Sequence, residues 1–442
     1  MSVHLAKGTR DHLPDAMRLR LAVFDTLRRV FEEHGFHALQ TPAFERIDTL
    51  MGKYGDEGNK LIFKILKRGK GGERGECDQA LRYDLTVPLA RVVAMNPQLR
   101  MPFKRWQIAP VWRADRPARG RFREFVQCDC DIVGSSSALA DAECLSVAST
   151  SLQALGFTDY RLRINHRVLL AALAATVGAA DRETELLVAI DKLDKIGRDG
   201  VSKELLGRGF TQAQVEAVWR VLAPPSTGRD EVLAHLEAQI NGDGVAAAVA
   251  RLKEVVELAR ALGVPDEALV IDPTLARGLD YYTGIVYEFT LDGVDMGSVG
   301  GGGRYDGLVG MFGKRQVPAV GLSLGVERLI LILSEQGRSL PGVGGVDVTV
   351  TLVDEAHRVH AARTAAAMRG AGLRAELILD PTKLGKQFKH ANAIGSRFVA
   401  TIGPSEVAAG GVALKDLSTG EQEILPLDEA IARVHSGGID PR

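Results

Sequence analysis

Residues 103–134 constrain the fold more than any other part of the chain. Two runs of strand-like composition, around residues 103–113 and 123–133, flank a loop in which five arginines fall within the twelve residues 113–124. Such runs with a short polar connection predict an antiparallel pair of strands joined by a cationic loop.

The second of these runs has two chemically different faces. Period-two alternation places mainly polar side chains on one face of a strand and apolar ones on the other. The polar face comprises Phe125, Gln127, Asp129 and Asp131, and the apolar face comprises Val126, Cys128, Cys130 and Ile132. Because buried polar groups on a sheet cost free energy unless they have partners, the polar row predicts a ligand pocket.

The balance of charges limits how the chain can bind nucleic acid. It has 55 lysines and arginines against 56 acidic residues, a net charge of -1. This balance excludes a globally basic nucleic-acid coat, so any RNA contact must come from a local cluster of cations.

The cysteines and the apolar runs indicate a cytoplasmic protein. The four cysteines include no CxxC pair, which favours reduced thiols over disulfides, and Cys128 and Cys130 lack the neighbouring ligands of a zinc site. There is no apolar leader and no uninterrupted apolar run of about 18 residues. We therefore expect no export, no membrane contact and no protein-bound metal.

The 442 residues suffice for two or three domains, and the sequence texture changes along them. Apolar residues spaced by three and four predict an amphipathic helix over 19–34, ended by Gly35. Helical spacing over 167–262 predicts a helical insertion. The Pro/Gly stretch 341–345 predicts a linker, and beyond it strand and helix patterns alternate, which predicts a small α/β domain with parallel strands.

Several motifs resemble one enzyme family. The strand ending in VWR at Arg113, the loop, and REFVQ (123–127) resemble motif 2 of the class II aminoacyl-tRNA synthetases. RGLDYYTG (277–284) resembles a segment peculiar to the histidyl-tRNA synthetases within that class. Further matches follow in order over nearly the whole chain: KGTRD (7–11), TPAFE (41–45, with the motif 1 proline Pro42), LRYDLT (81–86), GGGRYDGL (301–308), the motif 3-like GLSLGVERL (321–329) and KDL (415–417).

The resemblance implies an α+β fold whose antiparallel sheet is flanked by helices. It implies a catalytic domain in two parts, 1–166 and 246–334, a helical insertion at 167–245 and an α/β anticodon-binding domain at 345–442. The implied activity is ATP-dependent formation of histidyl-adenylate and transfer of histidine to the 3′ end of tRNA(His). ATP would enter with Mg²⁺ and without a prosthetic group. The implied assembly is a homodimer, with the helix ending near Gly35 and the Pro42 strand at the interface.

The chemistry of this reaction explains why arginines matter. A carboxylate attacks the α-phosphate of ATP, so two anions approach each other and fixed cations must stabilise the growing charge. Arginine supplies a permanent charge and a planar fork that suits phosphate. By resemblance, the catalytic residues are Arg113 and Arg277, on opposite sides of the phosphate. The implied ATP-binding residues are Arg113, Asp115, Arg121, Phe125 and Arg328, with Arg328 stacked over adenine opposite Phe125.

Selection of histidine requires polar groups that would be left unsatisfied by an apolar analogue. The implied histidine-binding residues are Asp84, Leu85, Thr86, Arg113, Gln127, Asp131, Arg277, Tyr281 and Tyr282. Many members of the family carry glutamate where this chain has Asp84 and Asp131. The shorter side chain changes the reach of each carboxylate, although the charge is kept.

RNA contacts would be divided between two basic clusters. Arg116, Arg119 and Arg123 would meet the acceptor end, and Lys383, Lys386 and Lys389 the anticodon arm. For both clusters, a solvated surface is the simpler alternative. Packing in a strand is the alternative for the two tyrosines.

Two other functions compete with this interpretation. Residues 300–303 are all glycine but lack the pattern of a P-loop or a Rossmann fingerprint, so close approach of backbone to the histidine site is the better interpretation. The chain could instead be a non-catalytic regulatory subunit of histidine biosynthesis that resembles a synthetase. The presence of Arg113, Arg277 and Arg328, and of a carboxy-terminal domain, favours the enzyme.

Overall fold

The computed structural model describes residues 3–224, 226–276, 281–313, 315–338, 340 and 345–437. It divides into two compact units, one formed by residues up to Asp11 and Val23–Gln336, the other by His12–Ala22 and residues from Gly337 onward. Most of the predicted linker at 341–345 lies outside the described residues. In the described part of the chain, every helix is too short or too polar to cross a lipid bilayer.

The larger unit is built on strands β1 to β11. Their bounds are β1 His37–Ala38, β2 Phe44–Arg46, β3 Lys64–Leu66, β4 Cys77–Leu81, β5 Phe103–Trp112, β6 Glu124–Val133, β7 Tyr160–His166, β8 Leu269–Ile271, β9 Ile285–Leu291, β10 Ser298–Arg304 and β11 Ala319–Leu324. Eight of them form one sheet in the order β1-β5-β6-β11-β10-β9-β7-β8, and β2-β4-β3 form a second sheet. The β1–β5 and β7–β8 pairs are parallel, whereas the five pairs between them are antiparallel.

The helices of this unit flank the sheet or form a separate consecutive group. Their bounds are α1 Pro14–Glu33, which includes residues of both units, α2 Ile47–Leu50, α3 Gly55–Lys60, α4 Lys70–Glu73, α5 Thr86–Met95, α6 Ala138–Ala154, α7 Arg167–Thr176, α8 Glu183–Ile190, α9 Leu193–Gly207, α10 Gln212–Leu222, α11 Arg229–Gln239, α12 Val245–Ala261 and α13 Val326–Glu335. Single 3₁₀ turns lie at Ala180–Arg182, Asp266–Ala268 and Val309–Phe312.

The predicted antiparallel pair is confirmed as β5 and β6. Their register runs from Phe103 opposite Val133 to Trp112 opposite Glu124. Cys128, Cys130 and Ile132 are buried, as expected of an apolar face. Asp129 and Asp131, on the other face, are also buried, so both faces of β6 are covered.

The predicted amphipathic helix is confirmed as α1, which begins earlier than the apolar periodicity indicated. It starts at Pro14, because the fixed φ of proline suits the first turn of a helix. Its buried face includes Leu27, Val30 and Phe31. Gly35 then adopts a left-handed φ of 74°, and its N–H caps the Glu32 carbonyl.

The predicted helical spacing is confirmed by the consecutive helices α7 to α12. Thr211 and Gln214 form a reciprocal capping box at the start of α10. The last helix of the group is tied to the sheet by the fully buried Asp141 on α6. Asp141 binds Arg251 on α12 at 2.6 Å and Arg304 at the end of β10 at 2.9 Å.

The second unit contains the predicted α/β pattern. Its elements are β12 Val348–Val350, α14 Arg358–Gly370, β13 Ala375–Leu377, α15 Leu384–Ala393, β14 Phe398–Thr401, α16 Pro404–Ala408, β15 Gly411–Asp416, β16 Gln422–Pro426 and α17 Leu427–Gly437, with a 3₁₀ turn at Glu355–His357. Strands β13, β12 and β14 are parallel, as predicted. Strands β15 and β16 add an antiparallel extension that the sequence pattern did not predict. Val348, Val350 and Met368 lie in the core of this unit.

The glycines of β10 allow three strands to approach closely. A Cβ atom on Gly302 would lie 2.1 Å from the carbonyl oxygen of Gly321 on β11, and one on Gly301 would lie 2.8 Å from that of Tyr287 on β9. Both obstacles are backbone atoms, which cannot move aside without disturbing the sheet. The glycine run therefore serves close backbone approach.

Gly302→Ala should lower the free energy of unfolding by roughly 1–3 kcal/mol, because the new methyl group overlaps strand β11. Urea denaturation would measure the change. Gly307→Ala is the matched control, since a Cβ atom there has no neighbour within 4 Å. Equal stability of the two variants would contradict the proposed crowding at β10.

Candidate active site

The polar face of β6 is paired with two polar residues of β5. Arg105 lies opposite Asp131, and Gln107 lies opposite Asp129. The side chain of Arg105 is fully buried, and its Nη2 atom lies 2.8 Å from Oδ2 of Asp131. Among the described residues, Oε1 of Gln127 is buried without a hydrogen-bond donor. A buried acceptor of this kind suits a ligand that brings an N–H group.

Asp131 is fixed by neighbours on several strands. The hydroxyl group of Tyr305 donates a hydrogen bond to Oδ1 of Asp131. A Cβ atom on Gly321 would lie 1.9 Å from the same oxygen, so glycine is required opposite this carboxylate. Burial raises the pKa of Asp131, and the positive charge of Arg105 and the Tyr305 hydrogen bond oppose that rise.

Asp84 is the second buried carboxylate of the site. Its Oδ1 atom accepts hydrogen bonds from the Tyr54 hydroxyl and the Val87 backbone N–H, each at 3.0 Å. Val87 lies in the first turn of α5, where unpaired backbone N–H groups favour an anion. Burial raises the pKa of Asp84, and the Val87 hydrogen bond and the Arg113 charge oppose it. Leu85 and Thr86, the next two residues, are buried.

Arg113 follows the last residue of β5 and brings a cation to the same pocket. Its Nε atom donates to the Tyr83 carbonyl at 3.1 Å. Its guanidinium carbon lies 4.3 Å from the centre of the Tyr83 ring and 5.2 Å from that of Phe125. Within the described ranges, Arg113 forms no ion pair with a carboxylate. Its charge is therefore available to an anionic ligand.

Tyr281 and Tyr282 lie near the buried carboxylates. Their ring centres are 4.8 Å apart, and the Tyr281 ring lies 6.1 Å from that of Tyr305. Burial raises the pKa of both hydroxyl groups, and the Asp84 carboxylate raises them further. A Cβ atom on Gly303 would lie 3.0 Å from the Tyr282 ring, so the glycine strand makes room for this tyrosine.

The arginine-rich loop lies against α13. Arg119 makes two contacts with the Glu335 carboxylate, at 2.7 and 2.8 Å, and Arg121 contacts Asp115 at 2.9 Å. A Cβ atom on Gly120 would lie 3.5 Å from the side chain of Arg328, which itself donates to the Ser298 carbonyl. The predicted ATP residues of the loop and of α13 therefore lie together.

The remaining predicted residues that the structure describes are exposed or form a hydrogen bond within their own loop. Arg116 is exposed, and Arg123 donates to the Asp115 carbonyl at 3.1 Å. The three predicted lysines of the second unit are exposed, at the N-cap of α15 or within this helix; these are Lys383, Lys386 and Lys389. Arg277 lies outside the described residues.

Four residues of the site were not predicted from the sequence. Tyr54 and Tyr305 hold the two carboxylates, Arg105 pairs with one of them, and Glu327 accepts a hydrogen bond from the Val126 backbone N–H at 3.1 Å. Glu327 also pairs with Arg10 of the KGTRD segment at 2.5 Å. Arg105 left a usable signal, because it alternates with Gln107 on a strand predicted to pair with β6. Tyr305 and Glu327 lie within the quoted motifs GGGRYDGL and GLSLGVERL, whereas Tyr54 lies outside the quoted motifs.

Comparison with known proteins agrees with this geometry. Residues 8–329 match the family model for histidyl-tRNA synthetase, and residues 347–436 match the model for an anticodon binding domain. A histidine–tRNA ligase of Gloeobacter violaceus is 42% identical over 454 residues, covering 96% of each chain. The crystal structure of histidyl-tRNA synthetase from Nostoc sp. PCC 7120 has a TM-score of 0.85 and 34% identity, and covers 99% of this chain and all of that one.

A further structural match shows the fold alone. An ATP phosphoribosyltransferase regulatory subunit/histidyl-tRNA synthetase from Bacillus halodurans has a TM-score of 0.72 at 21% identity. A largely antiparallel sheet with this pocket, together with an anticodon-binding domain, is the architecture of a class II aminoacyl-tRNA synthetase. Within that class, the chain belongs to the histidyl-tRNA synthetase family.

Asp129 gives the site a dependence on pH. Burial raises its pKa from the ordinary value of 3.8 to about 7, although the positive charge of Arg105 opposes the shift. Between these two values, the folded chain holds a proton that the unfolded chain has released. The contribution of Asp129 to the free energy of unfolding therefore falls as the pH rises from about 4 to about 7.

Asp129→Asn should remove this dependence, because an amide does not titrate. Relative to the wild type, the variant should gain stability as the pH rises from about 5 to about 7, and the difference should then level off. Urea denaturation across this range measures it. Asp78→Asn, at an exposed position on β4, is the control. A stability difference that does not change with pH would contradict a buried, protonated Asp129.

Proposed function

We propose that this chain is a histidine–tRNA ligase, which forms histidyl-adenylate from histidine and ATP and transfers histidine to the 3′ end of tRNA(His). The observation that carries the proposal is the convergence of two buried carboxylates, Asp84 and Asp131, with Arg113, in a chain of this family. The carboxylates suit the N–H groups of histidine, whereas the guanidinium suits its carboxylate and a phosphate.

Recognition of histidine would use the groups that the pocket leaves available. The polar edge of the imidazole would face Asp131, Asp84 and the unpaired oxygen of Gln127. Tyr281 and Tyr282 would cover the ring. Leu85 and Thr86 would form the wall beside Asp84. An amino acid with an apolar side chain of similar size would leave these buried acceptors unsatisfied, so it would be rejected.

Activation would be an in-line displacement at the α-phosphorus of ATP. The histidine carboxylate attacks, the bond to the bridging oxygen breaks, and pyrophosphate leaves. Arg113 would neutralise the negative charge that accumulates as the two anions meet. By resemblance, Arg277 would act from the other side of the phosphate. ATP would enter as its Mg²⁺ complex, with the ion as part of the substrate.

The rest of the nucleotide would lie between the arginine-rich loop and α13. Arg328 and Phe125 would hold the adenine, and Asp115 and Arg121, already paired at 2.9 Å, would line the loop side. In the second step, a hydroxyl group of the terminal ribose of the tRNA attacks the carbonyl carbon of the adenylate, and AMP leaves. The protein need not supply a nucleophile for either step.

The RNA would meet two parts of the chain. Arg116, Arg119 and Arg123, in the loop beside the pocket, would contact the acceptor end. Lys383, Lys386 and Lys389 would contact the anticodon arm, and their spacing of three places them along one side of α15. The catalytic parts at 1–166 and 246–334, the insertion at 167–245 and the anticodon-binding domain at 345–442 remain the proposed division of the chain.

We also propose a cytoplasmic homodimer. Strand β1 forms one edge of the large sheet, and Phe44, two residues after the motif 1 proline, is about half exposed. An open strand edge and an exposed aromatic ring are features that a second copy of the chain would cover.

The decisive measurement is pyrophosphate exchange into ATP with each amino acid in turn. We expect exchange with histidine and essentially none with the others. Histidine binding without any exchange would instead support the regulatory subunit. That alternative has less support, because Arg113 and Arg328 are retained and an anticodon-binding domain is present.

Arg113→Ala should reduce histidine-dependent exchange by about 10²- to 10³-fold, the effect of removing one preorganised group that stabilises transition-state charge. The control is Arg100→Ala, since Arg100 is an exposed cation away from the pocket. Exchange at a near-normal rate in Arg113→Ala would remove this residue from the mechanism.

Replacing Lys383, Lys386 and Lys389 together by alanine should raise KM for tRNA and weaken its dependence on salt, because three phosphate contacts are lost. Amino-acid activation should not change. Arg358→Ala with Arg363→Ala removes exposed cations from α14 of the same unit and serves as the control. An unchanged KM for tRNA would assign the lysines to a solvated surface.

A further inference from the structure

Arg105 is a buried cation that the proposed mechanism does not use. We propose that Arg105 is a positioning residue for histidine recognition, which keeps the Asp131 carboxylate ionised and ties it to the segment that carries Asp84. This inference rests on the proposed function, because Asp84 and Asp131 are taken to bind the substrate histidine.

The guanidinium of Arg105 reaches both halves of the pocket. Its Nη2 atom lies 2.8 Å from Oδ2 of Asp131 and donates to the Leu85 carbonyl at 3.3 Å. Leu85 directly follows Asp84. One planar group therefore connects strand β6 to the start of α5, and so connects the two carboxylates proposed to bind histidine.

The charges around Arg105 explain why a cation is needed. Asp129 and Asp131 are both buried on β6, and two uncompensated carboxylates so close together cannot both remain ionised. Arg105 stabilises one negative charge, and Asp129, with a pKa of about 7, can hold a proton near neutral pH. The charge can then reside on Asp131, where the substrate would bind.

Stability alone does not account for this arrangement. Among the described residues, Nε and Nη1 of Arg105 lack hydrogen-bond acceptors although both atoms are buried. A buried ion pair with unsatisfied donors is often no more stable than an apolar pair of similar size. A role in binding explains the retention of Arg105 better than a role in folding.

The neighbours of Asp131 determine which lone pairs of its carboxylate remain available to a ligand. Tyr305 donates to Oδ1, and Arg105 lies against Oδ2. A carboxylate has about four lone-pair positions, so both oxygens can still accept from a ligand. Aspartate is one methylene shorter than glutamate, so its reach depends on these two neighbours. Arg105 and Tyr305 therefore determine where the Asp131 carboxylate would contact the imidazole of histidine.

The test compares Arg105→Met and Arg105→Lys with the wild type in histidine-dependent pyrophosphate exchange from about pH 6 to about pH 9. Arg105→Met removes the charge, so KM for histidine should rise by at least about 30-fold near neutral pH, with KM for ATP changed less than about threefold. Removal of the cation makes Asp131 harder to ionise. The ratio of variant to wild-type KM should therefore fall as the pH rises.

Arg105→Lys should be intermediate, with KM for histidine raised by about fivefold, because an ammonium keeps the charge but lacks the planar fork. This variant also decides the matter if Arg105→Met does not fold. Raised KM for histidine with normal KM for ATP supports the proposal, and unchanged KM for histidine overturns it.

Arg91→Met is the matched control, because Arg91 forms a partly buried ion pair with Glu45 at 2.5 Å outside the pocket. It should lower the melting temperature without a pH-dependent change in KM for histidine. If Arg105→Met behaved in the same way, Arg105 would be structural and the proposal would be wrong. Absence of histidine-dependent exchange in the wild type would instead refute the proposed function, before any variant is compared.

Discussion

The burial of carboxylates in and beside the large sheet governs the organisation of this catalytic unit. Asp131 and Asp84 are almost without solvent, and burial alone would neutralise them. The chain opposes this with a buried guanidinium at Arg105, a tyrosine hydroxyl on each carboxylate and the backbone of a helix amino terminus. Gly303 of β10 and Gly321 of β11 leave room for this site, since a Cβ atom there would meet the Tyr282 ring or the Asp131 carboxylate.

The cations of the pocket divide into two kinds by their surroundings. Arg105 is fully buried and paired, so it acts on protein groups. Arg113 lies close to two aromatic rings without a carboxylate partner in the described chain, so it can act on a ligand. Arg119 is paired on the surface with Glu335, so its charge is already partly neutralised by the protein. Sequence position gives no hint of this difference, because all three lie within fifteen residues.

Much of the architecture could be predicted from local patterns. Alternation of apolar and polar residues gave β5 and β6, and helical spacing gave α1 and the group α7 to α12. The functional site depended on the family motifs, and its supporting residues depended on tertiary contacts. Tyr54 and Tyr305 are 30 and 174 positions from the carboxylates that they contact, so no local pattern connects them. The β15–β16 extension was missed because its strands are partly exposed and lack a clear apolar alternation.

The ion pairs of Asp141 make the helical group structurally independent of the active site. Arg251 on α12 and Arg304 on β10 share this one buried carboxylate, so the returning end of the helical group is fixed to the sheet. At its other end, α7 follows β7 directly and is fixed by that strand. Helices between these two anchors can grow, shrink or turn while the pocket keeps its dimensions. Evolution could therefore remodel this part of the enzyme without retuning its catalytic centre.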